Sequence, residues 1–130
     1  MDDGTIRFPW PAPCLWPNSR VDRRSASGTR RKYRQDCAWA TRAAGFEKTS
    51  LESLHLVITF CPPDNRRRDL DNMLAAVKSG IDGLADVLEM DDVHFAYTIQ
   101  RGDPVAGGEV RVQLGSMPGR DFIQFRGTVS

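Results

Sequence analysis

The 130-residue chain is 40% hydrophobic, which suits one domain with a small core and gives no reason to expect a second. Three cysteines, Cys14, Cys37 and Cys61, are odd in number and far apart, which argues against a disulfide framework or a zinc site and for a reducing compartment. No signal-like start or long apolar run is present, so a cytoplasmic protein with no membrane partner is expected.

The net charge of +1 hides an asymmetry. Residues 1–68 carry 13 Lys/Arg against 7 Asp/Glu, and residues 69–130 carry 5 against 10. The basic half suits a phosphate backbone and the acidic half suits a metal.

Thr5 to Trp10 alternates apolar and polar residues, which predicts a short strand, and Pro9 places it at an edge or strand end. Residues 11–29 read as a long loop of Pro, Ser, Gly and Arg. Seven Lys/Arg fall between Arg20 and Arg34: Arg20, Arg23, Arg24, Arg30, Arg31, Lys32 and Arg34. Composition alone leaves them open as a solvated arm or a DNA-contacting one. Residues 30–44 predict a helix with Tyr33, Cys37, Ala40 and Ala44 on one face, Gly45 as its cap and Trp39 covering the sheet from the side. Leu54 to Phe60 predicts a central strand, with His55 a strand residue rather than a ligand. Pro62-Pro63 ends it.

The segment Arg66-Arg67-Arg68-Asp69-Leu70-Asp71-Asn72 follows. Two carboxylates this close repel unless a cation sits between them, and Mg²⁺ takes one or two carboxylates plus waters and a phosphate. Arginines suit the phosphate itself. The pairing points to a metal-dependent phosphodiesterase acting on nucleic acid. The plainer reading makes Asp69 a helix cap and Asp71 a first-turn acid. A calcium loop is excluded by Met73 and the lack of a neighbouring Gly, and a phosphatase with an aspartate nucleophile by the preceding arginines and by Met73 at its Thr position.

From Leu70 to Leu88 the apolar residues recur at a helical period. Asp91 or Asp92 then returns an acid to the strand ends. Val93, Phe95, Tyr97 and Ile99 predict a strand with one buried face, and Val110, Val112 and Leu114 a second strand, the two forming a hairpin. Residues 116–130 read as a tail, with Phe122, Ile123 and Phe125 available to a partner.

Arg67-Arg68-Asp69-Leu70-Asp71-Asn72, then Asp82-Gly83-Leu84 and Asp91-Asp92, resembles the RusA family of Holliday-junction resolvases. Pro9-Trp10-Pro11, Asn18 in its basic loop and Gly107-Gly108-Glu109-Val110 are similar to that family too, so the resemblance spans roughly residues 5–115. It implies an α/β (α+β) fold with a small mixed sheet and two main helices in the order β-α-β-α-β-β. It also implies a homodimeric Mg²⁺-dependent endonuclease, with Mn²⁺ as substitute, that nicks four-way junction DNA in recombination and repair. Carried over by motif, Asp69, Asp71 and Asp92 hold the metal, with Asp91 the rival for the third place. Arg66, Arg67 and Arg68, with Arg20, Arg23, Arg24, Arg30, Arg31 and Lys32, would contact DNA. The family prototype places an essential Lys four residues after the second Asp, where this chain has Ala75. Lys78 is the substitute candidate. On a continuous helix it lies about 10.5 Å along the axis from Asp71, against about 6 Å for an i+4 residue.

Overall fold

The computed structural model describes residues 4–19 and 23–115. Its elements are β1 (Ile6–Pro9), a 3₁₀ turn (Pro13–Leu15), α1 (Arg23–Ala43), β2 (Leu54–Cys61), α2 (Leu70–Ala76), α3 (Lys78–Leu88), a second 3₁₀ turn (Asp92–His94), β3 (Phe95–Arg101) and β4 (Glu109–Gly115). Four strands form one mixed sheet in the order β1-β4-β2-β3. β2 and β3 run parallel, with Leu54 opposite Phe95, and the two helices between them make the crossover that a parallel pair requires. The other pairings are antiparallel.

Alternation along the strands sets the layers. Ile6, Phe8, Leu54, Leu56, Ile58, Phe60, Val110 and Val112 are fully buried and pack with Tyr33, Cys37, Met73, Ile81 and Leu84 from the helices. Each such side chain contributes about 1.5–3 kcal/mol through burial. Arg7, Gln113, Thr98 and Gln100 alternate with them and are exposed, so the other face of the sheet is polar.

α1 begins at Arg23, seven residues before the expected start, so much of the expected loop and basic arm is ordered helix. Ala26, buried seven residues before Tyr33, extends the inner stripe into a stretch whose Ser, Gly and Arg residues read as loop. Gly45 ends the chain's helical path at φ +96°, and Phe46 N–H reaches back to the Thr41 carbonyl (3.3 Å). Trp39 does not cover the sheet; it is 70% exposed on the outer face of α1. The inner face meets α3 closely. A Cβ on Gly80 would lie 2.7 Å from Cys37 Sγ and Tyr33, and one on Gly83 would collide with the Arg34 carbonyl oxygen.

The helix expected from Leu70 onward is broken at Val77 (φ −100°, ψ 8°), although Met73, Val77, Ile81, Leu84 and Leu88 keep one buried stripe across the break. Lys78 therefore opens α3, and the straight-helix spacing from Asp71 does not apply.

β3 and β4 do not form a hairpin. β4 pairs with β1 and β2, on the far side of β2 from β3. Residues 102–108 carry the chain over the end of β2. Gly102 N–H donates to the Phe60 carbonyl (2.8 Å), Val105 N–H to that of Pro62 (2.9 Å), and Gly107 and Gly108 turn at φ +79° and +75°. A seven-residue loop is long for a tight hairpin and suited to stepping across one intervening strand, about 10 Å. β3 is thus an edge strand, and its expected buried face shrinks to Phe95 and Ile99. Val93 (73% exposed) lies in the turn before it, and Tyr97 is exposed. Residues 116–130, with Phe122, Ile123 and Phe125, lie outside the described residues, as does Arg20.

Candidate active site

After β2, Pro62 and Pro63 cannot continue a ladder, and the chain turns toward α2. Asp64 organises the turn. Its Oδ1 accepts from Arg66 N–H (3.0 Å) and from Arg68 Nη2 (2.9 Å). Arg68 Nη1 also donates to the Asp64 and Arg66 carbonyls (3.3 and 3.1 Å). The Arg66 backbone N–H and then the Arg68 guanidinium hold the Asp64 carboxyl below the usual range.

The Arg68 guanidinium lies over the Trp10 ring, 5.6 Å from its centre. Trp10 also meets Trp16 at 5.7 Å, and a Cβ on Gly108 would sit 2.7 Å from Trp10 Cγ. Pro9-Trp10-Pro11, Gly107-Gly108 and the arginine run, scattered in sequence, therefore share one contact point. Arg68, only 16% exposed, is engaged in shaping the loop and is not presented to a phosphate. Arg66 (81% exposed) and Arg67 remain outward, and among the described residues Arg67 makes no ion pair. Arg101 Nη2 donates to the Arg68 carbonyl (2.9 Å), tying the loop to the end of β3.

The loop delivers Asp69 to the N-cap position of α2, yet its side chain makes no capping hydrogen bond. Asp71 Oδ1 accepts only the adjacent Asn72 N–H (3.0 Å). Both carboxylates are exposed and, among the described residues, neither has a cationic partner. Their oxygens suit a hard cation, which takes one or two carboxylates and completes its shell with water and phosphate.

Asp91 and Asp92 part company. Asp91 Oδ1 accepts from Val93 N–H (3.1 Å) and caps the 3₁₀ turn. Asp92 is in a hydrogen-bonded ion pair with Lys78, whose ammonium also stands 3.4 Å from Asp82 Oδ1. Desolvation pulls the Lys78 pKa down, but the Asp92 hydrogen bond and the Asp82 charge outweigh it, and the ammonium is held above the ordinary lysine value. The same hydrogen bond lowers Asp92. On β3, partial burial raises the Tyr97 phenol beside this group, assisted by the charges of Asp92 and Asp82 and opposed by that of Lys78. Among the described residues no three His, Cys, Asp or Glu side chains form a set that could hold a metal ion. The donor chemistry of Asp69 and Asp71 fits a hard cation, and Asp92 is paired with Lys78.

No family model matches the chain. A protein of Xylella fastidiosa (strain Temecula1 / ATCC 700964), described as an uncharacterized protein, is 36% identical over 110 residues, 82% of this chain and 69% of that protein. The chain belongs to that protein's family. The relationship brings no activity with it, so the chemistry rests on the residues themselves.

The basic stretch divides once it is seen as helix. Lys32 pairs with Asp36 (2.7 Å), and Arg34 binds Asp86 of α3 through two hydrogen bonds (2.7 and 2.8 Å). Arg24, Arg30 and Arg31 project outward from α1. Reading the sequence did not single out Asp64 or Arg101, and gave Asp82 and Tyr97 no place beside Lys78 and Asp92. Only Asp82 had a local signal, four residues after Lys78. No helix among the described residues is long and apolar enough to cross a membrane.

Proposed function

We propose that this chain is a RusA-like, Mg²⁺-dependent endonuclease that nicks four-way DNA junctions as a homodimer in the cytoplasm, with Mn²⁺ as a substitute ion. The observation that carries the proposal is the pairing of Lys78, the substitute candidate for the motif's lysine, with Asp92, the motif's third acid, across a helix and a turn. Asp91, the rival acid, is occupied as a cap, which supports Asp92 as the functional one.

Asp69 and Asp71 would hold the cation, which when bound would supply an activated water and offset charge on the scissile phosphate. Arg66 and Arg67 bind flanking phosphates and position the backbone without reading sequence. Arg68 and Asp64 keep the loop shaped so that the two aspartates start α2. Lys78 stays protonated at neutral pH and sets a positive charge and a hydrogen-bond donor beside the reacting phosphate. Two equivalent strands of a junction match a two-fold pair of sites.

One observation favours a second reading, a non-catalytic junction-binding relative: Lys78 is engaged by two acids, and Ala75 stands where the prototype has its lysine. Nicking of a synthetic four-way junction with and without Mg²⁺ separates the two. On the endonuclease reading the parent cuts only with the metal. Asp71→Asn abolishes cutting and leaves junction binding equal or tighter, because one repelling charge is gone. Cutting by Asp71→Asn at the parent's rate removes Asp71 from the metal site.

A further inference from the structure

The outer face of α1 carries Arg31, Gln35, Trp39 and Arg42 at helical spacings of four, four and three, so they line one stripe over about 16.5 Å. Trp39 is 70% exposed at a position where packing needs no indole. Among the described residues neither Arg31 nor Arg42 makes a direct ion pair, unlike Lys32 and Arg34, although Arg42 acts on Asp86 through its charge, so a cation stands on either side of the ring along the stripe. The stripe borders a groove of about 830 Å³. Arg34 and Asp86, paired with each other, also line a second groove, with Asp82, Glu89, Asp91 and Asp92.

We infer that Trp39 is a stacking platform for an unpaired base of single-stranded DNA, with Arg31 and Arg42 on the phosphates to either side. This rests on the nucleic-acid reading above and adds a strand-binding surface that the aspartate motif does not supply. An exposed aromatic between cations is how proteins hold single strands without reading sequence, since every base has a π-face. A second copy of the chain is the weaker occupant, because a two-fold contact centred on Trp39 would bring Arg31 and Arg42 toward their own copies. The platform is rigid: α1 is locked to α3 by the Gly80 and Gly83 contacts and the Arg34–Asp86 pair.

The test uses the full chain, a fluorescein-labelled dT12 strand and a duplex of the same length, read by anisotropy at low salt. Trp39→Ala is expected to weaken dT12 binding about fivefold to a hundredfold, the range of one base stack. Trp39→Phe should retain most of the affinity, and duplex binding should change less than about twofold, because its bases are already stacked. Equal dT12 binding by the parent and Trp39→Ala overturns the platform and leaves the nucleic-acid reading standing. A parent that binds neither dT12 nor a four-way junction overturns both. A fall in sedimenting mass on Trp39→Ala identifies the patch as a contact between copies and overturns the platform.

Discussion

Replacing Lys78 with Met keeps the length of the side chain and removes its charge. In the parent the ammonium is half exposed (51%) and Asp92 is 31% exposed, so solvent screens their attraction and the pair contributes no more than about 1 kcal/mol. Folding stability should therefore move by less than that. Two other quantities should move in opposite directions. On the endonuclease reading, Asp92 without its lysine would join Asp69 and Asp71 on the cation. Removing a competitor of about 1 kcal/mol tightens Mn²⁺ binding by up to about fivefold. The chemical step loses its positive charge, and single-turnover nicking of a saturated junction should slow at least tenfold, about 1.4 kcal/mol of barrier. Mn²⁺ titration followed by electron paramagnetic resonance gives the first quantity, and a gel assay the second. Weaker Mn²⁺ binding would mean that Lys78 does not hold Asp92 back from the metal. An unchanged rate would make the lysine a bystander.

Gly83→Ala should destabilise the fold by about 1–3 kcal/mol in urea melts despite alanine's better helix propensity, because its Cβ meets the Arg34 carbonyl oxygen and forces α1 away from α3; a stabilised variant would show that the crossing is looser than the structure has it. Burial lowers the His55 pKa below 6.5, and Nε2 lies 2.6 Å from Thr98 Oγ1 across β2 and β3. The unfolded chain takes up this proton first, so His55's contribution should be intact above about pH 6.5 and decline as pH falls through its lowered folded value; His55→Gln should remove that part of the pH slope in equilibrium melts.

The α/β class, the edge placement of the first strand and the inner position of the second were legible, because alternating and helical periods report burial directly. The path of the last strand was not. Periodicity marks Val110, Val112 and Leu114 as a strand but says nothing about which neighbour it joins, and proximity in sequence favoured β3. The start of α1 was hidden because its first turns expose Arg, Ser and Gly, with Ala26 alone turned inward. At the site, residue types marked Asp69 and Asp71 and left Asp91 and Asp92 open, while the choice of Asp92 and the candidacy of Lys78 came from the family resemblance; the structure pairs those two with each other. The role of Arg68 was out of reach, since it depends on Trp10, some 58 positions away in the chain. Composition could not divide the basic residues into paired and unpaired ones, because Asp86, the partner of Arg34, comes from α3.

The seat of β4 has a consequence for how the molecule is made. β1 touches no other strand, and Ile6 pairs with Val112 across roughly a hundred residues, a closure entropy that must be met before the contact returns anything. β1 is synthesised roughly a hundred residues before β4 and must wait for it. Until β4 slides between β1 and β2, both carry unsatisfied edges, and Ile6, Phe8 and Leu56 lack their covering neighbours. Nascent chains stopped anywhere before residue 109 should therefore be substrates for chaperones and proteases, and slow long-range pairing should set the pace of folding.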